Sequence, residues 1–479
     1  MRYRLRNFAV FMSLNLLAGC TLGPDYEPPH MDIPNLNADE KIAEFTSARW
    51  WSVFKDSTLN KLEEQALKHN SDLEQAAANI EIAEAASGMA FADLWPSIGG
   101  SVEGKETFMS AKGRMYFPGL MKRDMWDYLG AISISYELDF WGKYRNANRA
   151  AGASLLSAKA GQETLLLTIT SEVAKTYFMI RALDAKLAIA RRTLKARQEA
   201  CDVYRNRFKN GYCTELDCLR IDSEMSSVKM TVLDLELALG KAETALGVLI
   251  GASPREMIGQ KKLKDKGIEK LRIPCSIPKG IPSDILARRP DILQAEGQLM
   301  AANAKIGEAR AAYFPSISLT GAFGSEAVSL RDLFSGGSDT WNLGGRISLP
   351  ILIGGKTCAG EDAAEANYRK AEAIYRKTVQ TAFKETLDAL ASNRKNREIV
   401  ASGTRRVNAL KKSYSLAKKQ KEFGLIGLLD LLDVERGLLT AEMELVGALQ
   451  NRLNAVVNLC KALGGGWHVS VPKLRRKYR

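Results

Sequence analysis

The chain has 479 residues, of which 46% are hydrophobic and 26% charged, and its formal net charge is +13. This length allows two or three domains or one large repetitive domain, and the composition is ordinary for a folded protein. Three widely separated histidines and seven cysteines without a Cys-x-x-Cys motif argue against a zinc site or a histidine-based active site, and the basic residues lack the interleaved aromatic residues of a nucleic-acid site.

The N-terminus predicts a signal peptide of the lipoprotein type. Three arginines among the first six residues precede the apolar stretch FAVFMSLNLLAG. This stretch is too short to cross a bilayer, which needs about 20 residues, but it suits a signal peptide. It ends in Leu17-Ala18-Gly19-Cys20, which is similar to the bacterial motif whose cysteine is acylated and becomes the mature N-terminus. We expect residues 1–19 to be removed and Cys20 to carry lipid; an ordinary signal peptide with an incidental cysteine is the alternative.

Two further observations concern the membrane. Residue 21 is threonine rather than aspartate, which by analogy with lipoprotein sorting favours the outer membrane. No later segment contains an apolar run of about 20 residues, so no transmembrane helix is predicted. We therefore expect a protein of the bacterial outer membrane that is anchored by lipid.

The remainder of the chain reads as two copies of one unit. SDLEQA (71–76) aligns with PDILQA (290–295). Several later glycines align between the two copies at a second separation in sequence, which stays constant. Successive glycines are separated by the same number of residues in both copies, which chance matches would not produce. The aligned pairs are Gly142 with Gly355, Gly211 with Gly424, and Gly251 with Gly464.

Two long helical hairpins, 142–250 and 355–463, are predicted between these glycines. The intervals contain no proline and are rich in Ala, Leu, Glu, Lys and Arg, as helices require. At 1.5 Å per residue, the first helix of each hairpin would be roughly 100 Å long. Because isolated helices of this length would be unstable, we expect them to pack lengthwise, as in coiled coils.

Each copy also predicts a β-hairpin before its helical hairpin, at 97–140 and 316–353. AISISYELDF alternates apolar and polar residues, as a strand wetted on one side does. The strands match the roughly 9–11 residues that cross a bilayer at a tilt. The predicted strands are 97–107, 127–140, 316–326 and 341–353, with loops at 108–126 and 327–340.

Four strands cannot close a transmembrane barrel, because such barrels start at about eight strands. An open sheet in lipid would leave backbone groups unpaired, so membrane insertion would require an oligomer with eight strands as a dimer or twelve as a trimer. Two soluble hairpins packed on helices are the alternative.

Five stretches carry a resemblance to a known family. The chain is similar, over essentially the whole mature sequence, to the TolC-like outer-membrane efflux channels in the OprM/NodT lipoprotein branch. PSDILARRPD is the most specific part of the match. The five stretches are GCTLGPDYEPP (19–29), WWSVFKDSTLNKLEEQAL (50–67), IPSDILARRPDILQAE (281–296), ARAAYFPSISLTGAFG (309–324) and KEFGLIGLLDLLDVERGLLTAEMEL (421–445).

The resemblance implies an α+β membrane protein that assembles as a homotrimer. Its long helical hairpins would form a periplasmic α-barrel, and four transmembrane strands per protomer would close a twelve-stranded β-barrel in the outer membrane. No catalytic residue and no cofactor are implied. The expected domains are the signal peptide 1–19, the lipidated segment and belt region 20–60, the first repeat 61–280, the second repeat 281–464, and the C-terminal belt and basic tail 465–479.

The function implied is that of the exit duct of a tripartite efflux system. The duct would passively conduct drugs or other small molecules delivered by an inner-membrane pump of RND type and a periplasmic adaptor. Iris-like opening of the periplasmic helix ends would gate it. The alternatives are the outer-membrane channel of a type I secretion system and a structural envelope lipoprotein that does not conduct.

The family's Leu-x-x-x-Asp-x-x-Arg pattern places the gate at Leu429, Asp433 and Arg436. A three-fold axis would bring three Asp433 side chains together, where their charges repel. Arg436 lies three residues further along the same helical face and could compensate. An ordinary ion pair on the helix surface is the alternative for Asp433 and Arg436.

Glycines mark the other predicted sites. The hairpin tips, where the adaptor would make contact, are at Gly211 and Gly424. The joints between barrel strands and helices are at Gly142, Gly354 and Gly355.

LPILIGGKT (349–357) has the order strand, Gly-Lys-Thr, helix, as in a phosphate-binding loop. Such a loop needs glycine five residues before its Gly-Lys pair, so that backbone N–H groups surround the phosphate. That position is Pro350, which has no N–H. The other copy reads Trp141-Gly142-Lys143-Tyr144 and lacks Ser or Thr, so a structural joint is favoured over a nucleotide site.

Two features depart from the family pattern. Cys213 and Cys218 lie at the first hairpin tip and are expected to be buried apolar thiols. A disulfide between them is expected to be poorly placed, because residues five apart diverge around a helix. The basic terminus KLRRKYR (473–479) is interpreted as a disordered tail, with contact to anionic lipid or peptidoglycan as the alternative.

Overall fold

The computed structural model describes residues 21–31, 49–112, 122–259, 267–271, 273 and 289–465. These residues are mostly helical and include a four-stranded antiparallel sheet, which confirms the predicted α+β class. In chain order the elements are α1 Ser57–His69, α2 Ser71–Ala92, β1 Ser97–Phe108, β2 Asp124–Leu138, α3 Lys143–Lys209, α4 Glu215–Leu249, α5 Pro254–Gly259, α6 Pro290–Ala311, β3 Ser316–Ala327, β4 Asp339–Ser348, α7 Lys356–Glu422 and α8 Leu428–Ala462.

Several predicted features lie outside the described residues. They are the signal peptide 1–19, Cys20, residues 32–48 of the belt region, the stretch 281–288 of the family motif, and the basic tail 473–479.

The chain packs as two compact units, each drawn from three stretches of sequence. The first unit contains the sheet and comprises Met1–His30, Ile80–Ala158 and Ala295–Tyr375. The second unit contains the largest buried apolar cluster and comprises Met31–Asn79, Lys159–Gln294 and Arg376–Arg479.

The sheet of the first unit has the strand order β1-β2-β3-β4, and each neighbouring pair is antiparallel. Strands β1 and β3 begin at the predicted serines, Ser97 and Ser316. Strand β4 ends at Ser348, so the prediction of a strand as far as residue 353 is wrong. Pro350 explains the difference, because it has no N–H with which to continue the ladder.

The core of the second unit is centred on the sequence WWSVF. Trp50 and Phe54 are buried together with Tyr177 and Phe178 of α3. The rings of Phe54 and Phe178 meet edge to face, with centroids 4.9 Å apart. The Tyr177 hydroxyl donates to Oδ2 of Asp56 at 2.8 Å, which satisfies a polar group at the edge of this core.

Helix starts are fixed by side-chain caps. Asp56 accepts hydrogen bonds from the N–H groups of Thr58 and Leu59 and so begins α1. Asn70 accepts from two N–H groups of α2, and its own amide donates to the Leu249 carbonyl at 2.8 Å. The helix therefore begins at Ser71, with Asn70 as its capping residue.

The four long helices end in the same way. Gly211, Gly251, Gly424 and Gly464 all have φ between 67° and 78°. At each one, the N–H of the glycine and of the next residue bond back to helix carbonyls three and five residues earlier. This is the Schellman arrangement, which favours glycine because L-residues with a side chain avoid positive φ. Four of the six glycines on which the duplication was inferred are therefore helix ends.

Helices α3 and α7 each contain 67 residues, and α4 and α8 each contain 35. Between Val379 and Val407, the buried side chains of α7 follow alternating steps of three and four residues, or multiples of seven, as in a coiled-coil seam. Most are small, which allows close approach of the neighbouring helix. They are Val379, Ala382, Thr386, Ala389, Asn393, Val400 and Val407.

Among the described helices, none has a segment that is long and apolar enough to cross a bilayer.

One buried carboxyl lacks compensation within the described residues. The Glu63 side chain is fully buried in α1, and neither of its oxygens has a hydrogen-bond partner there. Burial raises the pKa of Glu63 well above its ordinary value. The folded-state pKa of this carboxyl is therefore above its unfolded-state pKa. The resulting contribution to stability is complete at pH values below the unfolded-state pKa and is lost as the pH rises through the folded-state pKa.

We therefore expect Glu63→Gln to raise the melting temperature at about pH 8, with a difference that vanishes near pH 4. The gain should be roughly 2–4 °C for each kcal/mol of ionisation cost removed. Circular dichroism melts at both pH values measure it. Glu64→Gln is the matched control, because Glu64 is half-exposed and pairs with the exposed Arg49. Unchanged melting of Glu63→Gln at the higher pH contradicts the prediction.

Candidate functional site

One face of the sheet is apolar and exposed. Opposed residues of an antiparallel pair point to the same side. The pairs Ile98↔Ile134, Ile132↔Phe323 and Phe323↔Trp341 therefore place apolar side chains on one face across all four strands. The exposed large apolar residues of this face are Ile98, Val102, Phe108, Trp126, Ile132, Ile134, Leu319, Phe323, Trp341, Leu343 and Ile347.

The opposite face of the sheet is polar. The intervening positions carry hydroxyl, amide and charged side chains, including Ser101, Glu103, Lys105, Asp127, Ser133, Ser135, Ser318, Thr320, Asn342 and Arg346. This alternation is typical of strands that face lipid on one side and water on the other.

The two outer strands are each paired on one side only. Within the described residues β1 pairs with β2 alone, and β4 with β3 alone. The outer N–H and C=O groups of both strands are thus available to further strands.

Gly142, one predicted joint, lies between β2 and α3 with φ of +76°. A Cβ at Gly142 would lie 3.0 Å from Cγ2 and 3.2 Å from Cα of Thr21. The position therefore requires glycine for its backbone conformation and also for a close contact. Beside it, the Trp141 indole N–H donates to the Pro315 carbonyl at 2.9 Å.

The contact at Gly142 is made by the segment 21–31, which lies against α6. Nδ2 of Asn303 donates to the Pro24 carbonyl at 2.8 Å, and the backbones of Gly23 and Gly307 are in contact. Thr21 is the first described residue and directly follows Cys20 in the sequence.

The joint between β4 and α7 is more open. Gly354 and Gly355 have φ of +59° and +79°, and a Cβ on either would meet no atom within 4 Å. Only backbone conformation explains glycine at these positions.

The predicted gate residues lie at the start of α8. Leu429 is 53% exposed, and the Asp433 side chain is 80% exposed. Arg436 lies 3.9 Å from Asp433 and slightly closer, 3.6 Å, to Glu224 of α4. The expected i,i+3 pair is therefore long, and Arg436 is shared between two helices. Sequence spacing did not indicate Glu224, because its partner is distant in the chain.

A second ion pair, next to the predicted gate residues of α8, is largely buried. The Arg197 side chain of α3 is 2% exposed and lies 3.2 Å from Glu435 of α8. Nε and Nη1 of Arg197 have no hydrogen-bond partner among the described residues. Burial raises the pKa of Glu435, while the charge of Arg197 lowers it and that of Glu224 raises it. This pair joins the two helical hairpins.

The first hairpin tip corrects two expectations about its cysteines. Cys213 and Cys218 are half-buried rather than buried, and their sulfur atoms are 4.0 Å apart. The two sulfur atoms are close because Cys213 lies in the turn, and α4 begins only at Glu215. The turn therefore brings together two residues that a continuous helix would separate.

Both hairpin tips expose large apolar side chains. Phe208, Tyr212, Leu216 and Leu219 are exposed around the turn at Gly211, and Phe423, Leu425 and Leu429 around the turn at Gly424. Exposed apolar residues grouped in this way are typical of surfaces that bind other proteins.

An amphipathic sheet with open edges, in a chain built on long helical hairpins, defines a channel protein of the outer-membrane class. The chain belongs to the outer membrane efflux protein family, whose family model matches residues 62–252 and 281–465.

Known relatives span nearly the whole chain. It is 32% identical over 468 residues to the solvent efflux pump outer membrane protein SrpC of Pseudomonas putida, covering 96% of this chain and 98% of SrpC. It is 31% identical over 460 residues to the cation efflux system protein CusC of Escherichia coli O6:H1, covering 94% and 96%. The crystal structure of the Campylobacter jejuni CmeC outer membrane channel has a TM-score of 0.88 at 27% identity, covering 94% of this chain and 96% of CmeC.

These findings confirm the predicted family, the outer-membrane location and the efflux function.

We expect Gly142→Ala to destabilise the protein more than Gly354→Ala. Both variants place a Cβ at positive φ, at a cost of about 1–2 kcal/mol. Only at Gly142 would the new methyl group also press on Thr21. Thermal melting compares the two variants, with Gly88→Ala in the interior of α2 as a control that has open space. Equal melting temperatures for the two joint variants would exclude a role for the Thr21 contact.

Arg197→Met should lower the free energy of unfolding by about 3–5 kcal/mol, because it leaves Glu435 without its partner. Arg197→Met/Glu435→Leu should recover most of this loss. Urea denaturation measures both. The matched control is Arg191→Met. It removes an exposed ion pair between Arg191 of α3 and Glu236 of α4, within the first hairpin, and should cost less than about 1 kcal/mol. Similar costs for the two single variants would contradict the prediction.

Proposed function

We propose that this protein is the exit duct of a tripartite efflux system and conducts drugs or other small molecules passively across the outer membrane. The observation that carries the proposal is the sheet, which has an apolar face, a polar face and two open edges. In lipid, each unpaired backbone group costs several kcal/mol, so the edges must be paired.

Three copies satisfy this requirement in the proposed homotrimer. Strand β1 of one copy would pair with β4 of the next, which closes a twelve-stranded barrel with apolar side chains towards lipid and polar ones towards the lumen. The helical hairpins would continue the duct through the periplasm.

Lipid on Cys20 would anchor each copy beside the barrel. This proposal is supported by the position of Thr21 against Gly142, where strand β2 passes into α3. An acyl chain attached one residue earlier would start at the junction of strands and helices, which is the expected level of the inner bilayer surface.

The gate proposed at Leu429, Asp433 and Arg436 would close the periplasmic end. Arg436 contacts both Asp433 and Glu224. Opening would require α8 to move relative to α4 and so break the pair between Arg436 and Glu224. The buried pair of Arg197 and Glu435 would hold the same two hairpins together.

The partners proposed are a periplasmic adaptor at the exposed apolar tips near Gly211 and Gly424, and an inner-membrane pump of RND type. Small molecules are proposed as the cargo in line with the names of SrpC, a solvent efflux pump protein, and CusC, a cation efflux protein.

The duct is tested by purifying the full-length protein and reconstituting it in planar bilayers. We expect a particle with the mass of three copies and discrete conductance steps. A folded trimer that does not conduct, even after removal of the Asp433 charge, would overturn the channel, and a stable monomer in lipid would overturn the proposed barrel.

We predict that Asp433→Ala loosens closure, because it removes an exposed acidic side chain that narrows the proposed gate. Single-channel conductance and the sensitivity of cells to large antibiotics should both rise. Asp234→Ala removes an exposed charge from α4 outside the proposed gate and serves as the control. Unchanged conductance and permeability in Asp433→Ala would contradict the assigned role.

A further inference from the structure

Two thiols face each other at the first hairpin tip. The sulfur atoms of Cys213 and Cys218 are 4.0 Å apart, and both thiols donate to the same acceptor, the Tyr204 carbonyl, at 3.3 and 3.4 Å. Both side chains are half-buried, so reagents can reach them. Neither the efflux function nor the proposed gate uses these residues.

The segment between the two cysteines is held in place. The Thr214 hydroxyl donates to Asp217 at 2.8 Å, and the Asp217 N–H donates back to the Thr214 oxygen. This capping box fixes the first turn of α4. The two sulfurs are therefore brought together by existing structure and do not depend on a chance loop conformation.

The second hairpin lacks this chemistry. Counted from the turn glycines Gly211 and Gly424, the positions of Cys213 and Cys218 correspond to Ile426 and Leu431, which are also half-buried. An apolar pair thus suffices at this place in a tip. The thiol pair of the first tip adds a reactivity that packing does not require.

We infer that Cys213 and Cys218 form a reversible disulfide that links the turn of the first hairpin to the first turn of α4. An outer-membrane protein is exposed to the oxidising periplasm, where disulfides form and persist. A disulfide needs sulfurs about 2.05 Å apart, so the side chains need to close a gap of roughly 2 Å.

The oxidant is a disulfide compound, either a small molecule such as oxidised glutathione or an envelope protein. One cysteine thiolate attacks it, forms a mixed disulfide and releases a first thiolate. The second cysteine thiolate then attacks the sulfur of the first cysteine, which forms the internal S–S bond and expels a second thiolate. Two S–H bonds are lost, two electrons reduce the oxidant, and the two protons pass to the departing thiolates or to solvent.

The thiolate is the scarce species in this reaction. Loss of solvation raises the pKa of Cys218, and its interaction with Cys213 raises it further. Oxidation should therefore be slow near neutral pH and faster at higher pH.

The consequence is a difference between the two tips. The first turn becomes covalently closed when oxidised, whereas the second is held only by noncovalent contacts. The surface offered by the first tip is then fixed in one conformation.

The test uses the full-length protein in detergent, equilibrated with oxidised glutathione or with dithiothreitol and then blocked with N-ethylmaleimide. Trypsin releases both cysteines in one peptide, NGYCTELDCLR (210–220). We expect this peptide to be two hydrogens lighter and unlabelled after oxidation, and doubly labelled after reduction. In the reduced sample Cys358, which is exposed, monitors the labelling reaction within the same molecule.

Two variants separate an internal disulfide from general thiol reactivity. Cys213→Ile and Cys218→Leu introduce the residues of the second tip, and the remaining thiol should accumulate bound glutathione. Wild type should not accumulate it, because the second cysteine displaces it. Glutathione on both wild-type cysteines, or full maleimide labelling after oxidation, overturns the inference.

Discussion

The open edges of the β-sheet are the constraint on which the rest of the structure depends. A strand edge exposes a row of backbone donors and acceptors, and an apolar face beside it excludes the water that would satisfy them. The sheet of the first unit has both features, since its exposed apolar residues share one face and its outer strands are each paired once. A single copy of this sheet is incomplete, which is why the proposed assembly follows from the strand order and the two faces together.

The long helices also depend on burial against neighbouring elements for their stability. Helices of 67 residues would be unstable in isolation and must bury a continuous stripe. In α7 that stripe consists largely of small side chains, with Asn393 as a polar member whose amide donates to the Ala455 carbonyl at 2.8 Å. A single buried polar contact of this kind favours one alignment of two helices over alignments shifted by a turn. Buried Arg197 and Glu435 act in the same direction nearer the tips.

Much of this fold could be predicted from the sequence, because its signals are local. Glycine at a helix C-terminus is a backbone requirement, so the positions of Gly211 and Gly424 located the hairpin turns. The end of β4 was placed too late because the apolar run continues past Pro350, and the missing N–H outweighs hydrophobicity there. Contacts between distant segments were not predictable. Glu224 meets Arg436, and Thr21 meets Gly142, only because particular faces pack together, and no spacing rule in one sequence encodes those faces.

The matched helix lengths restrict how such a chain can change. Adding one residue inside α3 or α7 would rotate everything beyond it by about 100° and turn the buried stripe towards solvent. Adding a whole heptad to one hairpin would preserve the stripe but shift that hairpin's end by about 10 Å. Insertions and deletions are therefore tolerable in the strand loops, whereas the helical hairpins can lengthen or shorten only by matched heptads in both copies.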